Sequence, residues 1–313
     1  MSFSQRVKEE LLVQDIEHET AKIELMAAFK AIGTMQFDFT GLVIEIKTSQ
    51  IKLTKRLLEI IKHEYPEASV QTLVRSVRNF NKSKKVYIIR INSYSKEILL
   101  DLKLVDSMDF NFILTLNDVS KILKNDDAKR VYTRMYFCCT GSVNDPKNSQ
   151  QYHLEITGNN ETYLKEIQKM VKKYSINLGI TKRKRSFALY LNKSEEIADF
   201  LKFVKAVDVL FEFEDYRMVR DMMLITNRLN NADIANEVRK MKTANKQIIA
   251  IEYLKVNDTL KTLPIKTIEI AELRLKYPDD SLQELADRTN GEISKSNLRY
   301  HLTNIIKKYE LHL

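Results

Sequence analysis

The sequence predicts an α+β protein in which a duplicated α/β N-terminal domain is followed by an all-α helix-turn-helix domain. Three observations predict this: a weak internal repeat, a group of capped amphipathic segments after Pro264, and 313 residues with only six Gly and four Pro. The length suggests about two domains. The scarcity of Gly and Pro argues against long flexible linkers and against an all-β sandwich.

The repeat begins with an apolar, helix-length run that ends in Gly. The first run, ELMAAFKAIGTM, starts at Glu24 and reaches Gly33, and the second, YTRMYFCCTGSV, starts at Tyr132 and reaches Gly141. A Gly after such a run is typical of a helix C-cap. Both runs contain small residues, which let helix backbones approach closely. We therefore predict that the two helices meet at a pseudo-twofold axis.

The segments after these helices also repeat in the same order. They are predicted strands at residues 42–46 and 152–156, amphipathic helices at 54–63 and 161–173, strands at 86–91 and 186–191, and helices with a capping-type start at Ser95 and Ser194. Each copy has about 80 to 90 residues, near the lower limit for a lone stable domain. We predict one pseudo-symmetric domain over residues 1–215, with halves of about 1–105 and 106–215.

The second domain is predicted over residues 216–313, as a linker helix and a helix-turn-helix. Residues 211–220 have the pattern of a charged helix. Four asparagines between residues 227 and 236 are unfavourable in a helix interior. That stretch is predicted to cap turns, or to contact phosphates together with Arg228 and Lys240.

Three amphipathic segments follow Pro264, which can occupy the first turn of a helix. The inward stripe of the first segment is predicted to be Ile265, Ile268, Ala271 and Leu275. Ser281 and Glu284 form a capping box at the start of the second segment, and Asn290-Gly291 ends it. Two short helices joined by a Gly-containing turn fit a helix-turn-helix.

The third segment is the candidate DNA-reading helix, because the later helix of this motif enters the major groove. Its apolar face is continuous, and no acidic residue occurs between Ser294 and Tyr309. Arg299 can reach guanine and Asn297 adenine, whereas Lys295 is expected on phosphate. The predicted DNA-binding residues are Ser294, Lys295, Ser296, Asn297, Arg299, Tyr300, Asn304 and Lys307. A three-helix interaction module with a solvated polar face is the alternative interpretation.

The charge of the chain favours a polyanionic partner. The net charge is +9 and the pI about 9.2, which favours nucleic acid first. Candidates for phosphate contacts, besides Arg228, are the consecutive residues Lys182, Arg183, Lys184 and Arg185. They could share one positive surface with Lys165, Lys169, Lys172 and Lys173, although charge runs are usually solvated loops.

Enzymatic and metal-binding patterns are lacking in the sequence. The five histidines show no HxxxH or HExxH spacing, and six scattered Gly form no phosphate loop. Cys138 and Cys139 are adjacent, so they cannot form an ordinary disulfide and are predicted to be small residues on a buried helix face. His153 beside Glu155 is interpreted as structural rather than as part of a paired site. No signal pattern or membrane-length apolar stretch is present, so we expect a cytoplasmic, nucleoid-associated protein with no membrane partner.

Several stretches resemble the WhiA family of bacterial regulators, over nearly the full length. They are SFSQRVKEELL from Ser2, TGSVNDPKNSQQYHLEI from Thr140, FEFEDYRMVRDMMLITNRLNNADIANEVRK from Phe211 and SLQELADRT from Ser281. The resemblance implies a LAGLIDADG homing-endonuclease-like domain joined to a helix-turn-helix. LAGLIDADG nucleases carry a metal-binding carboxylate just before the closing Gly of each helix. Here those positions are Ile32 and Thr140, which cannot replace the carboxylate oxygens that Mg²⁺ prefers.

Two functional hypotheses follow. The first is a non-catalytic, sequence-specific DNA-binding transcription regulator, for which the resemblance implies control of cell division or of chromosome- or sporulation-related genes. Its partner is double-stranded DNA, with a regulatory protein as a further candidate. The alternative is a nucleoid-associated adaptor that binds DNA electrostatically and also binds a partner protein. We expect no catalytic residues, no cofactor and no metal site.

Overall fold

The computed structural model describes residues 1–39, 41–79, 82–105 and 118–311. The chain divides into two compact units, Met1–Val219 and Arg220–Leu313. Within the described ranges, no helix is long and apolar enough to cross a membrane.

The first unit repeats one arrangement of helices and strands, α-β-β-α-β-β-α, as the internal repeat predicts. The first copy consists of α2 (His18–Ile32), β1 (Gly33–Asp38), β2 (Gly41–Thr48), α3 (Ile51–Glu64), β3 (Val70–Asn79), β4 (Lys82–Ile91) and α4 (Ser95–Asp101). The second copy consists of α6 (Asp126–Thr140), β5 (Gly141–Val143), β6 (Leu154–Gly158), α7 (Glu161–Lys172), β7 (Gly179–Lys182), β8 (Phe187–Leu191) and α8 (Ser194–Phe203). Two further helices are α1 (Phe3–Val13) and α5 (Val119–Ile122).

Each copy forms an antiparallel four-stranded sheet with the same order. The orders are β1-β2-β4-β3 and β5-β6-β8-β7, so corresponding strands lie at the centre of both sheets. Ile44 pairs with Ile91 in the first sheet, and Leu154 pairs with Leu191 in the second. All four side chains are buried in the common core, because alternate residues of a strand share one face.

The two apolar helices, α2 and α6, pack against each other. Ala27 and Ala28 are fully buried on α2, and Cys138 is buried on α6, which confirms the predicted close approach. Burial also raises the pKa of the Cys138 thiol to about 12. Cys138 is therefore an apolar packing residue, as the sequence predicts, and Cys139 is partly buried beside it.

Gly33 and Gly141 end these helices for a steric reason. Both have extended backbones, with φ of −78° and −76°, and not the left-handed conformation common at helix C-caps. A Cβ on Gly33 would lie 2.5 Å from the carbonyl oxygen of Phe29, and a Cβ on Gly141 would lie 2.2 Å from the ring of Phe137. Each Gly lets the chain turn from a helix directly into a strand.

Gly33→Ala and Gly141→Ala should each destabilise the first unit by about 1–3 kcal/mol, the usual cost of overpacking a close contact. The exposed strand substitution Gln36→Ala is the control and should change stability little. Urea unfolding of the three variants checks this. Wild-type midpoints for both glycine variants would contradict the steric explanation.

Two predicted features of the first unit are wrong in detail. The capping residues of α4 and α8 are Tyr94 and Lys193, and neither Ser95 nor Ser194 is an N-cap. The hydroxyl of Ser95 instead donates to the carbonyl of Ile91, because Ser95 is buried beside β4 and cannot face the free helix N–H groups. Strand β6 also begins at Leu154, two residues later than predicted.

The second unit consists of helices: most of α9 (Val207–Val256), a 3-10 helix (Thr259–Thr262), α10 (Ile265–Lys276), α11 (Leu282–Asp287) and α12 (Lys295–Glu310). The asparagine-rich stretch lies inside α9, a 50-residue helix, so the predicted turns are wrong. Helix propensities are weak, each Asn costing less than about 1 kcal/mol relative to Ala. No Gly or Pro interrupts residues 207–256.

The inward face of α10 also differs from the predicted stripe. Ile265 is 76% exposed, whereas Thr267, Ile270 and Arg274 are buried. The hydroxyl of Thr267 hydrogen-bonds His301 at 2.9 Å. Polar residues with internal partners therefore occupy positions that hydrophobicity alone assigns to the surface.

Candidate nucleic-acid interface

Helix α12 is held firmly on one side. Leu298, Leu302 and Ile305 are fully buried, as the spacing predicts. The side chain of Ser294 caps the helix by accepting a hydrogen bond from the backbone N–H of Asn297 at 3.3 Å. The opposite face is therefore presented by a rigid element, which favours specific recognition.

Most of the predicted DNA-binding residues lie on that opposite face. Exposed residues are Ser294, Lys295, Ser296, Asn297, Arg299, Tyr300 and Lys307, whereas Asn304 is half-buried. Ser294 caps α12, so its side chain holds the start of the helix in place. The first turn and a half of α12 carries the polar groups that would enter a groove first.

Arg299 also lines a surface cavity of about 290 Å³ within the second unit. Arg239 and Lys240 of α9 line the same cavity, together with the acidic residues Asp279 and Asp280 and with Ser281, the N-cap of α11. The sequence analysis grouped Lys240 with Arg228, but Arg228 is exposed on α9 and is not among the lining residues. The fold thus brings Arg299 of the predicted reading helix close to two basic residues that precede it by more than fifty residues in the sequence.

Arg274 organises the chain between α10 and α11. It is 2% exposed, and its Nη1 donates to the carbonyl of Asp280 at 2.6 Å. Burial lowers its pKa. Ser281 and Glu284 then form the predicted capping box, with bonds of 2.6 and 3.2 Å. Asn290 and Gly291 have positive φ in the following turn, so the turn is as predicted.

The basic run at Lys182, Arg183, Lys184 and Arg185 forms the exposed tip of the β7–β8 hairpin. One of these charges is engaged, because Arg183 pairs with Glu155. Burial opposes ionisation of Glu155, but hydrogen bonds from Arg183 and His153 keep its pKa below the ordinary value. His153 also bonds Asn192 at 2.7 Å, consistent with the structural role predicted for it.

Five lysines line a second cavity, of about 380 Å³, in the first unit. They are Lys121, Lys124, Lys129, Lys169 and Lys173. Sequence reasoning singled out the last two but missed the other three: Lys121 lies on α5, Lys124 between α5 and α6, and Lys129 in the first turn of α6. The three lysines within residues 121–129 were the sequence feature that could have predicted this basic cavity. No carboxylate is among the described residues that line this cavity, although Lys129 lies 3.4 Å from Asp126 of the same helix.

Comparison with known proteins matches three consecutive segments of the chain to domain families. Residues 18–105 match the WhiA N-terminal LAGLIDADG-like domain, residues 129–223 the WhiA LAGLIDADG-like domain, and residues 226–309 the WhiA C-terminal HTH domain. A relative from Enterococcus faecalis, named probable cell division protein WhiA, is 36% identical over 306 residues, covering 97% of this chain and 96% of the relative. The chain belongs to the WhiA family.

Other WhiA proteins agree in sequence and fold. A relative of the same name from Lysinibacillus sphaericus is 34% identical and covers 97% of this chain and 95% of its own length. The crystal structure of full-length DUF199/WhiA from Thermotoga maritima is 26% identical, with a TM-score of 0.59, and the match covers 99% of this chain and 98% of that chain. The WhiA fold therefore extends over both units.

The nuclease positions of this WhiA chain hold no carboxylate. Ile32 and Thr140 are the last residues of α2 and α6. Asp38 ends β1 and bonds Arg90 at 2.8 Å. Asp145 accepts bonds from the backbone N–H of Lys147 and the side chain of Asn148. Both nearby aspartates are thus engaged with other partners.

Buried ion pairs join the two LAGLIDADG-like halves beneath this position. Lys30 and Glu166 are buried and lie 2.8 Å apart. Burial lowers the pKa of Lys30 and raises that of Glu166, and their mutual bonds oppose both effects. Glu24 bonds Arg56 of its own half at 2.6 Å and Arg134 of the other half at 3.0 Å. The charged groups at the pseudo-twofold axis therefore hold the halves together.

Proposed function

We propose that this WhiA-family chain is a non-catalytic, sequence-specific DNA-binding transcription regulator that acts in cell division or in chromosome- or sporulation-related control. The observation that carries the proposal is the exposed face of α12, where Lys295, Asn297 and Arg299 stand on a capped and buried helix. The relatives named probable cell division protein support the process.

The chemistry of this face fits a major groove. Arg299 is the candidate reader of guanine and Asn297 of adenine, since each offers two groups to one base edge. Lys295 and the neighbouring pair Arg239 and Lys240 are suited to phosphates, which position a protein without reading sequence. Arg299 lines one cavity with that pair and with Asp279 and Asp280, so phosphate contacts are proposed for the exposed basic side chains and not for the cavity itself.

The first unit adds electrostatic affinity in this proposal. The five-lysine cavity and the basic hairpin are candidates for contacts with the DNA backbone. Catalysis is not proposed, because Ile32 and Thr140 cannot supply the carboxylates by which metals stabilise attacking and leaving oxygens.

Selection of bound genomic DNA fragments tests the proposal, with wild type compared with an Arg299→Ala, Asn297→Ala double variant. Wild type should enrich a short recurrent site, and the double variant should lose it, because each base contact contributes about 1–3 kcal/mol of discrimination. The matched control is Arg228→Ala with Asn230→Ala, which removes the same groups from exposed positions of α9. The control should keep the site even if its affinity falls.

The second candidate function is the nucleoid-associated adaptor. Exposed apolar side chains on α9 favour it: Met218 is 56% exposed, Met222 69%, Met223 61% and Leu229 62%. Exposed apolar groups of this size can serve a protein partner. Broad DNA enrichment that is unchanged in the α12 double variant would favour the adaptor and contradict sequence-specific reading.

A further inference from the structure

Two histidines and one glutamate, distant in sequence, converge at the edge of the first unit. His18 is the first residue of α2, and His63 and Glu64 are the last residues of α3. The Nδ1 atoms of His18 and His63 lie 3.3 and 3.0 Å from the same oxygen, Oε1 of Glu64. The two rings meet edge to face, with centroids 4.3 Å apart.

These distances match those between the ligands of a small tetrahedral metal ion. Nitrogen and oxygen ligands of Zn²⁺ lie about 2.0–2.2 Å from the ion, so in a tetrahedron they are about 3.3–3.6 Å apart. All three ligand atoms of the cluster lie within 4.8 Å of one another. The two histidine–glutamate separations of 3.3 and 3.0 Å are close to these values, and rotation of the exposed histidine rings would bring both nitrogens around one ion.

We propose that His18, His63 and Glu64 form a binding site for a divalent transition metal, with Zn²⁺ as the ion of best fit. Imidazole with one carboxylate suits zinc better than it suits Mg²⁺ or Ca²⁺, which prefer oxygen ligands. The cluster borders a cavity of about 140 Å³ that Glu59 also lines. Water in this cavity, or the carboxylate of Glu59, would supply the fourth ligand of a tetrahedral ion.

The surroundings keep the glutamate available as a ligand. Glu64 is only 8% exposed at its side chain, and Ile16, Ala21 and Ile60 form apolar walls of the cavity. Lys22 lies 3.9 Å from the other oxygen, Oε2, and 2.8 Å from Asp101. Oε1 therefore faces the histidines while the lysine stands on the far side.

A bound ion would connect the start of α2 to the end of α3. A ligand that binds the folded state and not the unfolded state stabilises the folded state. The metal would thus strengthen the half that presents α2 to its partner helix α6. None of the proposed DNA-contacting residues belongs to this site, so the site is tested independently of the proposed function.

Calorimetric titration of the full chain with Zn²⁺, after removal of metal by a chelator, is the first test. One ion should bind per chain, and the thermal midpoint should rise with excess zinc. Co²⁺ should give the visible absorption bands of tetrahedral nitrogen and oxygen ligation. Absence of both binding heat and a midpoint shift would overturn the proposal.

His18→Gln and His63→Gln show whether these residues are the ligands. Both side chains are largely exposed, at 74% and 59%, so both variants should fold, which circular dichroism checks. Each should weaken zinc affinity by more than the roughly 10- to 100-fold typical of losing an outer partner. His153→Gln is the matched control, because His153 also lies beside a glutamate. Equal losses in all three variants would mean adventitious surface binding and would overturn the proposal.

Discussion

Glu24→Ala should destabilise the first unit by about 3–5 kcal/mol, because it leaves buried charges without their partner. Glu24 is 1% exposed and bonds both Nε and Nη2 of Arg56 at 2.6 Å. It also accepts from Arg134 of the second half at 3.0 Å. Burial opposes the charged form of Arg56, yet its bonds to Glu24 keep its pKa raised.

The control is Glu9→Ala, the same substitution in a surface pair. Glu9 lies 2.6 Å from Lys52, and both side chains are partly exposed, so this substitution should cost about 1 kcal/mol or less. Urea unfolding by circular dichroism gives the midpoints, and amide exchange in α2 and α6 locates the effect. If Glu24→Ala were as mild as Glu9→Ala, these charges would not hold the two halves together.

The second large effect concerns the five-lysine cavity. Changing Lys121, Lys124, Lys169 and Lys173 to Gln should weaken DNA binding and flatten its salt dependence. Removing one lysine–phosphate interaction reduces the slope of log affinity against log salt by about 0.9. The four changes together should therefore reduce the slope by up to about 3.6. Sequence preference should stay unchanged, since phosphate contacts carry no sequence information directly.

The hairpin is the matched comparison for this experiment. Changing Lys182, Arg183, Lys184 and Arg185 to Gln removes the same four charges from a net charge of +9. Its effect should be smaller, because Arg183 already pairs with Glu155, whereas the four lysines changed in the first unit surround one cavity. Binding measured from low to moderate salt compares the two. If both variants had the same slope of log affinity against log salt, the net charge would determine DNA binding and the arrangement of lysines around the cavity would not.

Local patterns were sufficient for much of the architecture. The two Gly-ended helices, the amphipathic helices α3 and α7, and the buried stripe of α12 agree with the sequence predictions. Each depends on side-chain period, since a helix or strand that buries one face must repeat its apolar residues on that face. The capping box at Ser281 was likewise predictable, because it joins residues three apart.

Predictions failed where a buried polar partner, or a long helix without Gly or Pro, outweighed a local preference. The inward face of α10 contains Thr267 and Arg274, which bond His301 and a backbone carbonyl. The asparagines of α9 lie within a continuous helix, although their propensity favours caps and turns. Buried polar groups are tolerated when they are hydrogen-bonded, and hydrophobicity alone cannot identify such partners.

By itself, the sequence determined the duplicated domain, the helix-turn-helix and the absence of carboxylates at Ile32 and Thr140. Only the tertiary structure decided which distant residues meet. It brought His63 to His18, Lys129 to Lys169 and Arg134 to Glu24. The physical reason is that caps and periodic faces arise from neighbours within a few residues, whereas these contacts depend on how whole helices and sheets pack.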